Sequence, residues 1–353
     1  MSILGLGNPM LDISIVTDTM FLKKHSLEPN GAKHVKNKEV FMDIESGIFK
    51  KQYLAGGSID NTCRVAKRLL GDEISVHYIG CIGNDTNGLI LQKSMKAAGV
   101  NTYYQISKEF PTGRCAVIIT NREDRSLVTY PGAANQYAIE HLEEHWDVIQ
   151  NSNIIYSGGF FLASSSSSLF KVAKLCSETD DKLFCFNLSA AFLCRPPHVE
   201  RAKEIIQYAD IVIGNQEEAE TFAEFGLGLT KDASTDHELI ANAISKIPKA
   251  DRFRKSRSVI ITRGKSACIV LNENKEGAVQ SFPTSSLKEK DIVDTNGAGD
   301  AFVGGLLAGI ALNLRNGLRL TDDSISLGLK ASSEILKVVG CNDSILQRIE
   351  TND

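Results

Sequence analysis

The 353-residue chain lacks most of the signals that would sort it at once. None of its eight cysteines (63, 81, 115, 176, 185, 194, 268 and 341) forms a CxxC pair, and most lie in apolar runs. Zinc ribbons, dithiol redox motifs and a disulfide framework are therefore not expected, whereas buried free thiols in a reducing, cytoplasmic setting are. GxxxxGK[ST] and GxGxxG are both missing, which removes P-loop NTPases and Rossmann dehydrogenases. No apolar run reaches membrane-spanning length, and Met1–Gly7 has no basic leader and meets Asp12 early, so neither a membrane partner nor a secretory signal is expected. Excess positive charge is also absent. A net charge of −4 and a pI near 6.0 give no general pull toward nucleic acid or anionic lipid. Lys249–Arg257 is basic, but only Phe253 interleaves it, so it reads as a solvated loop. Internal repeats are lacking too. What remains is a chain with 42% hydrophobic residues, long enough for one large α/β domain and a smaller one, with small molecules as partners.

The stretch around which the rest is organised is Asp294-Thr-Asn-Gly-Ala-Gly-Asp300, followed directly by an apolar run rich in small residues, Ala301–Ile310. Glycines let main-chain N–H groups converge, and the helix they open adds its positive end, so Gly297, Ala298 and Gly299 form a candidate anion hole. Asp300 falls in the first turn. There it is either a dipole-stabilising residue or, beside an anion-sized site, a proton acceptor. A second Gly-rich helix opening is Ala55-Gly-Gly-Ser-Ile-Asp-Asn61, with Val65, Ala66, Leu69 and Leu70 at helical spacing behind it. Ser58 and Asn61 would point the same way, although Ser58 reads equally well as a plain N-cap.

In chain order, Ile3–Gly7 is a strand ending in Gly7-Asn-Pro-Met-Leu-Asp-Ile13, where Asn8 and Asp12 suit either ligand contact or an Asx turn. The polar stretch from Lys23 to Lys51 suggests an excursion from the main core. Asn101–Gln105, Arg114–Thr120 and Ser126–Tyr130 follow one another without helices, which reads as antiparallel pairing joined to that excursion. The charged turn 121–125 reads as a hairpin tip, and Arg125 alone as a surface residue. From Ala138 onward strands and helices alternate. In an open parallel sheet the strand C-termini make the binding crevice, which lines up Asn187, Asn215, Glu218, Thr262, Gly264 and Asp300 along one edge.

With Pro111-Thr-Gly-Arg-Cys-Ala116, Arg125-Ser-Leu127, Gly159-Phe-Phe-Leu162, Asn187-Leu-Ser-Ala190 and Gly214-Asn-Gln-Glu-Glu218 added, the motifs in their order resemble the ribokinase-like (PfkB) carbohydrate kinases, and within them the adenosine-phosphorylating branch. That resemblance implies a three-layer α/β/α large domain with a central, mostly parallel sheet (1–15, 58–110 and 136–353) and a small β-rich lid (16–57 and 111–135). It also implies a monomer that transfers the ATP γ-phosphoryl group to the adenosine 5′-hydroxyl with Mg2+, in purine salvage. Carried over by motif, Asp300 is the base, Gly297–Gly299 the anion hole and Arg125 the lid residue that meets the phosphate. Asp12 holds the ribose with Asn8, Gly57, Ser58 and Asn61, while Phe160, Phe192, Cys115 and Leu127 hold the base. Asn187, Asn215, Thr262, Gly264 and Asn296 face ATP, Asn296 bordering the nucleoside substrate as well, and Glu218 organises magnesium. A related kinase of another nucleoside or sugar, and a nucleoside-binding protein without activity, are the alternatives.

Overall fold

The computed structural model describes residues 1–29, 31–34, 39–120, 124–273, 278–284 and 287–346, with only the backbone of Ala32 and His34; the tip 121–123 of the expected charged turn lies outside them. Among these residues the strands are β1 (Ser2–Leu6), β2 (Met10–Val16), β3 (Ala32–His34), β4 (Gln52–Gly56), β5 (Ser75–Gly83), β6 (Asn101–Ser107), β7 (Gly113–Thr120), β8 (Asp124–Tyr130), β9 (Ile154–Gly158), β10 (Leu183–Asn187), β11 (Ile211–Asn215), β12 (Ser258–Arg263), β13 (Ser266–Leu271) and β14 (Val279–Phe282). They form a nine-stranded sheet, β14-β13-β12-β11-β10-β9-β1-β5-β6, and a five-stranded sheet, β3-β8-β7-β2-β4. The large sheet is parallel from β12 through β6, with β13 and β14 added as an antiparallel edge.

Strands of the large sheet are apolar on both sides because helices cover both faces. Leu4, Ile155, Phe184 and Val212 pack on one core, and their chain neighbours Ile3, Ile154, Cys185 and Ile211 on the other. Each such side chain taken fully from water contributes about 2 kcal/mol. The second core holds the helix Ala298–Leu314, buried from Ala301 to Ala311 and apolar all round, as a helix walled in by others must be. It lies against the helices Ser58–Leu70 and Asp322–Ile335 at backbone distance: a Cβ built on Gly304 would stand 2.5 Å from Val65 Cγ1 and 2.9 Å from Thr62 O.

The small sheet follows the two-residue alternation of a strand. Ile13, Ile15, Ala116, Ile118 and Val128 point to one side, where they pack with Phe21, Leu22, Val40, Phe41 and Ile44 from the helices Thr19–Lys24 and Glu39–Ser46. The opposite side therefore carries Asp12, Cys115, Arg125 and Leu127.

Three expectations are corrected. Asn101–Ser107 does not join the antiparallel excursion; it pairs in parallel with β5, because the helix Thr86–Ala97 between them makes an ordinary β-α-β crossover. The small sheet begins at Met10 rather than after residue 15, since β2 pairs along its whole length with β7. The basic stretch from Lys249 to Arg257 is not a solvated loop: Arg254 and Arg257 are buried, and Lys249 Nζ donates to Asp210 at 2.6 Å. All eight cysteines are free, six of them buried. No helix among the described residues is long and apolar enough to cross a membrane.

Candidate active site

Two helices start side by side here, and glycine shapes each start. Gly57 (φ 99°) caps the helix Ser58–Leu70, where a Cβ would come within 2.8 Å of Asn8 O; Gly297 (φ 79°) caps Ala298–Leu314, where a Cβ would come within 2.6 Å of Cys341 Cβ. An L side chain fits neither the dihedral nor the space. Among the described residues neither start has a side-chain cap, and a Cβ on Gly299 would meet no atom within 4 Å, so this face of the loop is open. The first-turn N–H groups and the helix dipole leave it suited to an anion.

Asp300 stands between the two starts. Ser58 Oγ donates to its Oδ1 at 2.6 Å, Asn61 Nδ2 to its Oδ2 at 2.8 Å, and Thr62 Oγ1 to its main-chain oxygen at 3.2 Å. Ser58 is thus the first helical residue and a partner of Asp300, not an N-cap. Burial pushes the Asp300 carboxyl above its ordinary range, although Asn61, Ser58 and Arg64 pull the other way. Asp12, on the inner side of β2, is raised to about 7, chiefly by burial and then by the charges of Asp300 and Asp60, with Arg64 opposing. A Cβ on Gly56 would lie within 2.6 Å of that carboxylate, so β4 presses backbone against it.

Next to Asp12 across the small sheet lies Cys115, whose Sγ accepts from Thr129 Oγ1 at 3.7 Å, and Leu127 pairs with Val117 two positions along. From the large domain, Phe160 in the short helix Gly159–Ser164 meets Phe192 with ring centres 6.0 Å apart and planes tilted by 60°. Asn8 ties down the linker between β1 and β2: its Nδ2 donates to Ala134 O at 2.8 Å and to Ser164 Oγ at 3.0 Å, while its Oδ1 is buried with no partner among the described residues.

The strand ends gather as the parallel sheet requires. Asn187 pairs with Gly158 and Asn215 with Thr262 at the C-termini of adjacent strands. Asn187 Nδ2 donates to Tyr156 Oη at 3.1 Å and its Oδ1 accepts from Ser189 N at 2.8 Å. Asn215 and Glu218 form a capping box on the helix Gln216–Phe225: Glu218 Oε2 accepts from Asn215 N at 2.9 Å and Oε1 from Asn215 Nδ2 at 2.8 Å. Burial raises the Glu218 carboxyl to about 7. Gly264 (φ 57°) turns into open space at the end of β12, and Asn296 N bonds back to Asp294 Oδ1 at 3.0 Å. Arg125 reaches this loop from the small sheet and pairs with Asp294 Oδ2 at 2.6 Å. A hollow of about 610 Å³ beside Asn272 and 317–323 lies at the other end of the helix that Asp300 starts and is lined by no residue of this constellation.

Arg64, Asp60 and Asp294 escaped the reading of the sequence as site residues. Arg64 lies three positions from Asn61 and four from Asp60 in a charged helix that looks solvated; only those helical offsets marked them.

The pfkB family carbohydrate kinase signature matches residues 47–348. The chain belongs to that family. Among its relatives, adenosine kinase 2 of Arabidopsis thaliana is 36% identical over 342 residues, covering 96% of this chain and 94% of the relative. Adenosine kinase of Schizosaccharomyces pombe is also 36% identical, covering 95% and 94%. The fold superposes on Anopheles gambiae adenosine kinase in complex with P1,P4-di(adenosine-5) tetraphosphate with a TM-score of 0.83, at 35% identity and 97% coverage of both chains. It superposes on Schistosoma mansoni adenosine kinase in complex with adenosine and AMP with a TM-score of 0.83, at 32% identity and 96% coverage of both. The α/β architecture expected from the motifs is thus the one this PfkB kinase adopts.

Proposed function

We propose that this PfkB kinase phosphorylates adenosine at its 5′-hydroxyl with ATP, giving AMP and ADP. The observation that carries the chemistry is the Asp300 carboxylate, held by Ser58 and Asn61 at the mouth of a helix start whose loop is open at Gly299. A bond forms between the 5′-oxygen and the γ-phosphorus, the bond from that phosphorus to the bridging oxygen of ADP breaks, and the hydroxyl proton passes to Asp300. Charge neutralisation and alignment supply most of the rate in such a transfer, so the Gly297–Gly299 amides and Arg125 matter as much as the base.

Adenosine as acceptor is supported by relatives alike over nearly the whole chain and by the types of side chain at the site. Phe160 and Phe192, which meet each other, are read as the aromatic surface for a flat base, with Cys115 and Leu127 of the small sheet as its other wall; Asp12 is read as accepting from the ribose hydroxyls, with Asn8, Gly57, Ser58 and Asn61. We read the five-stranded sheet as the lid over this site. Asn187, Asn215, Thr262, Gly264 and Asn296 are read as the ATP side. Glu218 fits magnesium at one remove: each of its oxygens accepts one bond and keeps a lone pair, so it would hold the ion through water, and the ion would offset phosphate charge. We read it as a monomer, and eight free cysteines are in keeping with the cytoplasm.

The test is γ-labelled ATP with magnesium and a panel of adenosine, 2′-deoxyadenosine, inosine, guanosine, ribose and fructose. Adenosine should have the highest kcat/KM. A higher value for inosine or a sugar would reassign the acceptor, and no transfer to any of them would leave a binding protein.

A further inference from the structure

We propose that Arg64 is the positioning residue for Asp300, acting through the Asn61 amide; the proposal rests on Asp300 being the base. A side-chain amide has an acceptor end and a donor end of nearly the same shape, and its neighbours decide which end points where. Arg64 only donates. Its Nη2 lies 2.7 Å from one end of the Asn61 amide, so that end must be the oxygen, and the NH2 end is turned onto Asp300 Oδ2 at 2.8 Å. Reversed, the amide would set N–H against guanidinium and a carbonyl oxygen against a carboxylate. With Ser58 on Oδ1 and Asn61 on Oδ2, the carboxylate plane of Asp300 is fixed and one lone pair on each oxygen remains to take a proton.

The guanidinium is itself pinned. It is 6% exposed, with Nε on Asp60 Oδ1 at 3.3 Å, Nη1 on Asp343, and Nη2 also within 3.2 Å of Ala55 O and 3.3 Å of Cys341 O. It thereby joins the helix Ser58–Leu70 to β4 and to the segment that packs on Gly297. An ammonium on a flexible stem has no plane with which to serve these partners together.

Arg64→Met and Arg64→Lys should be made in the wild type and in Asn61→Ala, with rates normalised to adenosine-binding sites. In the wild type, Arg64→Met should lower kcat at least ~10-fold while the KM for adenosine moves less than ~3-fold, and Arg64→Lys should recover part of the loss. In Asn61→Ala the same change should cost at least ~5-fold less, because the amide through which Arg64 acts is gone. Equal losses in both backgrounds, or a loss that disappears on normalisation, would overturn the proposal. If Arg64→Met does not fold, Arg64→Lys carries the cycle. Near-normal turnover by Asp300→Asn would instead remove the base reading itself, whereas an inactive Asp300→Asn with additive Arg64 effects removes only the role given to Arg64.

Discussion

Two clusters of buried charge in this fold differ in their balance. Around Asp210 the count is even: Asp210 and Asp251 face Lys249 and Arg254, all with side chains at most 4% exposed. Lys249 and Arg254 meet Asp210 Oδ1 at 2.6 and 3.0 Å, Phe184 N serves its Oδ2 at 2.8 Å, and Arg254 and Phe253 amides serve Asp251 Oδ1. Burial alone would raise Asp251, but these donors and Lys249 hold it below the ordinary carboxylate range. Around Asp300 the count is uneven: Asp300 and Asp60 press on Asp12, Asp343 and Asp300 press on Asp60, Arg64 is the cation that opposes them, and Asp12, Asp60 and Asp300 are all pushed upward, first by burial. A matched cluster is complete as it stands and serves to hold helices and strands together. One with surplus acid is completed only by hydroxyls, protons or cations brought from outside, which is the condition of a site.

The largest effect expected from breaking this contrast is on the balanced side. Asp210→Ala leaves Lys249 and Arg254 short of a partner in the interior and should cost about 3–5 kcal/mol of stability in denaturant unfolding, with kcat per folded molecule nearly unchanged. A loss below about 1 kcal/mol would mean that water reaches the cluster. On the uneven side, Asp300→Asn keeps shape and polarity but cannot accept the proton; kcat should fall at least ~100-fold with little change in adenosine affinity or melting temperature. Calorimetric binding beside a turnover assay checks both halves, and preserved turnover would take the base elsewhere.

The smallest effect concerns pH. The folded carboxyl of Asp12 sits at about 7 against an ordinary 3.8, so between these values the folded chain keeps a proton that the unfolded chain has lost. Its contribution must therefore diminish as pH rises through that window. Ligand-free melting temperatures from pH 5 to 8 should fall less steeply in Asp12→Asn than in the wild type, with Glu218 supplying part of the slope that remains. An unchanged slope would show that Asp12 is ionised throughout.

The glycine-opened helix starts were legible in the sequence because the chemistry is local: a run of glycines before an apolar helix means an exposed first turn wherever it occurs. Asp300, Ser58 and Asn61 could be named for that reason, and the structure brings the three together. Lys249 and Arg254 were misread because nothing local distinguishes a charged turn in water from one whose counter-ions, Asp210 above all, come from a distant strand end. Asp60 and Arg64 were passed over on the same ground. β6 went to the wrong sheet because β-propensity carries no address; the helix before it did, and the crossover rule was the stronger guide.

The missing methyl at Gly304 has a mechanical consequence. It sits one helical turn, about 6 Å, beyond Asp300, where a Cβ would stand 2.5 Å from Val65 Cγ1. Relief of that contact would require the two helices to part by roughly an ångström, and a 2.6 Å bond between Ser58 and Asp300 tolerates no such shift. The tolerance to which the site is assembled is thus set by a hydrogen atom one turn below it, on a surface no substrate touches. A Gly304→Ala chain that kept full turnover would show the helices able to yield without spreading their starts; a chain that stayed folded and lost turnover would show that the alignment of the two ends is worth more than the packing between them.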